Sequence, residues 1–177
     1  MVTNATKFDK SSAPQGSDDA DAAEALLRLE DFLPYQLSVL ADTMSQSLSR
    51  LYGERYGLGV PEWRVIANLG QRGTMTATEI GGHAQMHKTK VSRAVSGLVE
   101  RGYVSRERNR ADQREALLQL TVQGRGVYET LVPPAKAFNA ALESTLSDDE
   151  QAMLRSVLDR LLSRSRDLAR AIGEDRL

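Results

Sequence analysis

Two clusters of cationic and short polar side chains in the middle of the chain carry the groups best suited to chemistry. The first combines ammonium, guanidinium and hydroxyl groups within six residues: Lys88, Thr89, Lys90, Ser92 and Arg93. The second is a set of four arginines within nine residues: Arg106, Arg108, Arg110 and Arg114. Cationic groups pair with phosphate oxygens, and short hydroxyl side chains reach the edges of nucleic-acid bases. The two clusters therefore indicate a surface that contacts nucleic acid.

The overall composition conceals this concentration of positive charge. The 177 residues include 23 Lys plus Arg and 24 Asp plus Glu, so the formal net charge is −1. Residues 61–126, however, hold eleven basic and six acidic residues, a net charge of +5. Because each neutralised phosphate releases a condensed counterion, a local basic patch matters more than the total charge. On charge alone, a solvated surface with scattered arginines is an equal alternative.

Other kinds of chemistry find little support in the sequence. The absence of Cys excludes disulfides, thiol nucleophiles and Cys-ligated zinc. His83 and His87 have the spacing of a helical metal pair, but a predicted turn separates them and few further ligands lie nearby. No nucleophile with its base and no phosphate-binding loop is evident, so neither an enzyme nor a bound cofactor or metal is expected. His87 is instead predicted to contact a nucleic-acid backbone or to cap the helix that follows it.

The N-terminal third of the chain is predicted to contain a tail and one long helix. Residues 1–21 are rich in Ser, Asp and Ala and poor in large apolar groups, which is typical of disorder. From about Ala22 to Tyr56, apolar residues recur every three or four positions, as on one face of a helix. Pro34 either kinks this helix or marks its true first turn. No apolar run reaches the roughly 18 residues that a membrane span needs, which favours a cytoplasmic protein.

The segment 60–124 is predicted to be one domain that begins with three helices. The first begins near Pro61, a residue type that fits an opening turn. The next begins with a capping box formed by Thr76 and Glu79. The last runs from about Lys88 to Arg101, and Gly102 after it is predicted to be a left-handed C-terminal residue. The apolar side of this helix consists of residues at i, i+4 and i+7: Val91, Val95 and Leu98.

A hairpin and further helices complete the predicted order. Residues 103–108 and 114–120 have the pattern of two short strands joined by a polar turn. The helical pattern returns after Thr121, and Pro133-Pro134 is expected to kink or divide a helix there. The predicted fold class is therefore mainly α (α+β).

Two helices joined by a tight turn and followed by a basic hairpin are the elements of a winged helix-turn-helix. In such a domain the second helix enters the major groove of duplex DNA, and its N-terminal residues reach base edges. A basic hairpin beside it can lie over a phosphate backbone or place arginine in a minor groove. Asp112 is predicted to order this hairpin, the wing, by pairing with one of its arginines, such as Arg114.

Two stretches of the sequence resemble the MarR family of bacterial transcription regulators. Residues 88–104, KTKVSRAVSGLVERGYV, resemble that family's recognition helix and first wing strand. Asp112-Gln113-Arg114 followed by LQLTVQG at 118–124 resembles its wing signature, Asp-x-Arg and then Leu-x-Leu-Thr-x-x-Gly. The resemblance covers about residues 30–170. It implies a homodimer formed by the first and last helices, a pseudo-palindromic operator, and release from DNA by a small aromatic acid in many members.

The two ends of the chain independently suggest a homodimer. Residues 22–59 and 125–177 carry broad apolar faces, although the winged module has a core of its own. A twofold dimer is the commonest way to cover such faces, and internal packing in a monomer is the alternative. We therefore interpret residues 22–59 as an N-terminal dimerisation helix, 60–124 as the DNA-binding domain and 125–177 as C-terminal dimerisation helices.

Trp63 and Arg64 are the best candidates for binding a small effector. An aromatic ring beside a guanidinium suits an aromatic or acyl carboxylate. Core packing is the slightly favoured alternative for Trp63, and a solvated helix face or an ion pair is the alternative for Arg64. By resemblance to the family layout, Tyr35 and Ser38 line the same cleft.

The sequence thus predicts a DNA-binding transcription regulator, most simply a repressor, that responds to a small molecule. The alternative is a winged helix that binds another protein instead of DNA. An acidic recognition helix would favour that alternative, and the observed charge has the opposite sign.

Overall fold

The structure, a computed structural model, describes residues 27–108 and 115–174. The predicted tail over residues 1–21 lies outside this range. The chain forms two units, residues 1–44 and 45–177, with their boundary inside the first long helix. Most described residues are helical, and three short strands form one antiparallel sheet. Among the described helices, none combines the length and apolarity of a membrane span.

The first helix, α1, spans Leu33–Tyr56, so the predicted start near Ala22 is wrong. Leu29–Asp31 form a single 3-10 turn, and Phe32 after it is extended. Pro34 explains the late start, because its ring clashes with the carbonyl of a preceding helical turn but fits an opening turn. Of the two alternatives for Pro34, the first-turn position is therefore the correct one.

Three helices build the predicted helix-turn-helix region. They are α2 (Val60–Arg72), α3 (Ala77–Ala84) and α4 (Lys88–Glu100). The last of them ends as predicted, with Gly102 in the left-handed region at φ +71°. The N–H groups of Gly102 and Tyr103 donate to the carbonyls of Val99 and Leu98 at 3.0 and 2.9 Å, which satisfies the end of the helix.

The predicted capping box at the start of α3 is present. The Glu79 carboxylate accepts from the Thr76 backbone N–H at 2.7 Å, and the Thr76 hydroxyl accepts from the Glu79 N–H at 3.2 Å. Met75 and Ile80 on either side of the cap are both buried in the core. The hydrogen bonds from the Thr76 N–H and then from its hydroxyl lower the pKa of Glu79.

Acid is expected to destabilise the fold partly through this carboxylate. Because the folded-state pKa of Glu79 lies below its unfolded value, the stabilisation is complete above the unfolded pKa and is lost as pH falls through the folded one. The free energy of unfolding, measured with urea at neutral and at acidic pH, should therefore fall less on acidification in Glu79→Gln than in the wild type. Glu129→Gln, at an exposed glutamate of another helix, is the control. Identical pH dependence in the wild type and Glu79→Gln would contradict this assignment.

The wing strands lie where the sequence predicted them, but a third strand joins them. The strands are β1 (Met75–Thr76), β2 (Val104–Arg108) and β3 (Ala116–Leu120). β3 is central, and its Leu118 lies opposite Met75 on one side and Arg106 on the other. The two residues of β1 show no alternation that could reveal a strand, because their strand character comes only from pairing with β3.

Two further helices follow, α5 (Val122–Glu143) and α6 (Asp148–Glu174). Pro133 and Pro134 lie inside α5, which continues through them, so of the two expected outcomes division of the helix is wrong, and a kink stays a prediction. The turns before them are held by tertiary packing, since Val127 and Leu131 are buried in the core.

The core of the second unit lies between α2, α4 and the sheet and includes residues from neighbouring helices. Tyr52 near the end of α1 and Leu58 after it are buried there, although both lie in the segment predicted for dimerisation. By contrast, much of the apolar side of α6 is exposed: Met153, Leu154, Leu158, Leu162, Leu168 and Ile172. On α1, Leu33, Val39 and Leu40 are likewise exposed.

Candidate nucleic-acid interface

The recognition helix, α4, separates its anchoring residues from its polar ones. Val91, Ala94, Val95 and Leu98 are at most 2% exposed and hold the helix on the core. Thr89, Ser92 and Arg93 point away from this anchored side. The predicted contact residues are all exposed: Lys88, Thr89, Lys90, Ser92 and Arg93. The first turn contains no acidic residue. A helix anchored on one side therefore presents cations and hydroxyls on the other.

His87 caps this helix, which is the second of its two predicted roles. Its Nδ1 accepts from the Thr89 backbone N–H at 3.4 Å, and His87 itself is extended. An accepting Nδ1 requires the neutral ring with its proton on Nε2. The side chain is exposed, so the Nε2–H is a donor that a phosphate oxygen could use without loss of the cap.

The turn before α4 depends on a residue that the sequence did not single out. Gln85 adopts the left-handed conformation at φ +51°, and its side-chain amide donates to the Gly82 carbonyl at 2.8 Å. The Met86 N–H donates to the Gly81 carbonyl at 3.0 Å and closes the turn. A Cβ on Gly81 would approach the Met86 carbonyl oxygen to 3.2 Å, so glycine allows the close approach. These contacts set the direction of α4 relative to α3.

Arg106 joins the wing to the recognition helix. Its Nη2 donates to Ser96 Oγ at 3.2 Å, and its side chain remains exposed. Arg108 is exposed at the end of β2. Arg110, Asp112 and Arg114 lie outside the described residues, and their roles in the wing stay predictions.

Two side-chain pairs that the sequence analysis missed hold the base of the wing. Thr78 Oγ1 donates to Glu115 Oε1 at 2.5 Å and ties α3 to the start of β3. Gln119 Nε2 donates to Glu107 Oε1 at 2.7 Å across the hairpin. Each pair is formed by residues far apart in sequence, so no local pattern could have revealed it. A cleft of about 860 Å³ lies between the Thr78–Glu115 pair and α4, with Gly81, Val91, Val95 and Leu118 among its apolar lining.

The predicted effector residues are distributed over both units. Trp63 is half-buried and stacks on Tyr52 with ring centroids 5.6 Å apart. It therefore packs against the core, which was the favoured alternative to effector binding. Arg64 is exposed, and its Nη1 reaches the Ala84 carbonyl at 3.4 Å. Burial raises the pKa of Tyr52, and the charge of Arg64 opposes that shift. Tyr35 and Ser38 are exposed on α1 in the first unit, so the four-residue cleft stays a prediction.

A metal site finds no support in the described part of the chain. His83 is the last-turn basic residue of α3, whereas His87 caps α4. No group of three or more potential His, Asp or Glu ligands occurs within residues 27–108 and 115–174.

An anchored helix with an exposed cationic start, a left-handed turn before it and an antiparallel wing beside it define a winged helix-turn-helix protein. Comparison with known proteins gives the family. Residues 56–115 match the family model described as MarR family. The transcriptional repressor IacR of Pseudomonas putida is 30% identical over 114 residues, which cover 64% of this chain and 68% of that protein.

Solved structures agree with this assignment. The MarR family regulator SPO1453 from Silicibacter pomeroyi is 32% identical and has a TM-score of 0.66, covering 78% of this chain and 98% of that one. The PcaV regulator from Streptomyces coelicolor, solved with its natural ligand, has the same fold with a TM-score of 0.64 at 22% identity, covering 80% and 99% of the two chains. The chain belongs to the MarR family of transcriptional regulators.

Proposed function

We propose that this regulator is a homodimeric repressor that binds a pseudo-palindromic DNA operator and is released by an aromatic or acyl carboxylate. One observation carries the proposal: the start of α4 presents Lys88, Lys90 and Arg93 as exposed cations, while the buried side of the helix is anchored in the core. The cations lie at the start of the helix, where the backbone N–H groups also favour an anion.

The charges around this face favour DNA over a protein partner. Arg106 and Arg108 add positive charge from the wing. The nearby Glu107 accepts a hydrogen bond from Gln119. Exposed cations outnumber the carboxylates of Glu100 and Glu107 on the described recognition helix and the strand beside it, so the acidic surface that a basic protein partner would require is not found there. Phosphate oxygens are the ligands that this set of donors matches best.

The exposed apolar residues of α1 and α6 support a second copy of the chain as a partner. Leu40 of α1 is 51% exposed, and Met153 and Leu162 of α6 are 63% and 48% exposed. Large apolar residues exposed at helical spacing are typical of an interface. A second copy of the chain is the commonest partner for such faces, and twofold symmetry places two recognition helices about one DNA turn apart.

The decisive experiment is selection of bound duplexes from a random DNA pool by the full-length protein. We expect inverted half-sites separated by about one helical turn, and a complex with two chains per duplex by mass. The logarithm of the binding constant should fall with the logarithm of salt concentration by about 0.9 for each phosphate contacted. Salt-independent binding, or no enrichment of any sequence, would refute the proposal.

An effector site beside Trp63 is supported by the contact that Arg64 makes. The guanidinium that would bind a carboxylate also reaches Ala84, the last residue of α3. A carboxylate that takes over this guanidinium would therefore alter a contact next to the turn that directs α4. The Arg64–Ala84 contact would then differ between the effector-free and the effector-bound protein, and this difference connects effector binding to release of DNA.

Trp63 is the only tryptophan and is a built-in probe of effector binding. Titration with benzoate-type and acyl carboxylates is expected to change its fluorescence saturably. Arg64→Gln should weaken the binding about tenfold, because a charge-assisted hydrogen bond is lost. Arg72→Gln removes the same charge from the end of the same helix and should leave the affinity unchanged. Equal affinity in Arg64→Gln and the wild type would remove Arg64 from the site.

A further inference from the structure

The C-terminal end of the recognition helix is joined to the C-terminal end of α1 by Arg101. Its Nη1 donates to the Gly57 carbonyl at 3.2 Å, and its Nη2 donates to the Tyr56 carbonyl. Its guanidinium also lies over the Tyr103 ring, 4.9 Å from the centroid. One side chain therefore contacts the end of α1 and the residue that precedes the first long wing strand.

The chemistry of this contact suits a fixed joint. The last carbonyls of a helix have no partner within the helix, and a cation near them interacts favourably with the helix dipole. A planar guanidinium with donors in a fixed fork can hold two such carbonyls in one geometry, whereas an ammonium acts as a point charge. Arg101 is exposed, so its contribution to global stability is small, and its main effect is on geometry.

Arg101 directly follows α4, which other contacts hold at its start, along its buried face and, through the bond from Arg106 to Ser96, at the wing. The turn from Gly81 to Met86 and the His87 cap define the first end. Without Arg101, the far end would still be held by apolar side chains, which resist separation more than small rotations, and by the bond from the Thr121 hydroxyl to the Gly102 carbonyl, which leads to α5 and not to α1.

We propose that Arg101 is a positioning residue that sets the angle between the recognition helix and α1, and thereby the separation of the two recognition helices in the dimer. This inference rests on the proposed dimeric, DNA-binding function. Its consequence is specific: Arg101 should matter for an operator with two half-sites and not for one half-site alone.

The test compares a single half-site duplex with a series of full operators whose half-site separation varies by single base pairs. For Arg101→Gln we expect unchanged half-site affinity, about tenfold weaker binding to the preferred operator, and a flatter dependence on separation. Arg101→Lys should recover part of the loss. Arg55→Gln removes a cation beside the same end of α1, where it lies over the Tyr56 ring, and should behave as the wild type.

A second measurement needs no DNA. The chain has no cysteine, so Arg93→Cys introduces a single labelling site on α4, and pulsed spin-label spectroscopy of the dimer reports the distance between recognition helices. Adding Arg101→Gln should broaden the distance distribution. If Arg101→Gln weakened binding equally on half-site and full operators, Arg101 would instead be a DNA contact. If this variant kept both the preferred half-site separation and the distribution of distances between recognition helices, the inference would be overturned. A wild type without a dimer or two-site preference would refute the proposed function itself.

Discussion

Replacing Gly124 with alanine is expected to lower the free energy of unfolding by about 3 kcal/mol. A Cβ at this position would lie 2.0 Å from the Tyr103 carbonyl oxygen and 2.9 Å from its carbonyl carbon. Both are backbone atoms, which cannot rotate away, so α5 has to move off the start of the wing. That movement strains the hydrogen bonds through which Thr121 joins α5 to Gly102 and Tyr103.

Gly126→Ala is the matched control for this prediction. It makes the same change two residues further along α5, where an added Cβ meets nothing within 4 Å. Alanine is the better helix former by about 1 kcal/mol, so this variant should be as stable as the wild type or more so. Urea denaturation measures the free energy of unfolding of both variants. If Gly126→Ala lost as much stability as Gly124→Ala, the contact with Tyr103 would not be the cause of the loss. The contact also explains the glycine of the Leu-x-Leu-Thr-x-x-Gly signature.

Lys90→Glu is expected to weaken DNA binding about a hundredfold or more while leaving the protein folded. Lys90 is exposed in the first turn of α4, three residues after the cap His87. Glutamate there places an anion against phosphate. The same glutamate suits the helix itself, because negative charge is favourable near a helix N-terminus and the position is that of a capping-box carboxylate.

This opposition between helix stability and DNA affinity makes the result easy to interpret. Thermal unfolding of Lys90→Glu should equal or exceed that of the wild type, so lost binding cannot be attributed to unfolding. Lys136→Glu makes the same charge reversal at an exposed position of α5 and controls for net charge. Lys90→Ala should lower the slope of the logarithm of the binding constant against the logarithm of salt concentration by about the amount of one phosphate contact. Undiminished affinity in Lys90→Glu would remove α4 from the DNA interface.

Local signals were sufficient for most of the secondary structure. The capping box at Thr76 and Glu79 and the apolar spacing along α4 depend on neighbours within four residues, and both are confirmed. Gly102 is confirmed as the left-handed residue because only the adjacent turn determines its conformation. The start of α1 was misplaced because the apolar pattern before Pro34 continues in sequence although the helix does not.

Contacts between distant residues were beyond the reach of such patterns. β1 is a strand only because β3 pairs with it, and α5 stays unbroken at Pro133 because buried residues hold the turns before it. Arg106 was predicted as a DNA contact, yet its bond to Ser96 also makes it a link between the wing and the recognition helix.

The sequence by itself determined the order of the helices and the wing hairpin, the family resemblance and the chemical character of the interface, since these depend on residue type and short-range spacing. Only the tertiary structure decided how the recognition helix is held. The links made by Arg64, Arg101 and the Thr78–Glu115 pair join residues 20 to 45 positions apart. Their geometry follows from packing of whole helices, because a hydrogen bond forms only where the backbone brings donor and acceptor within about 3 Å.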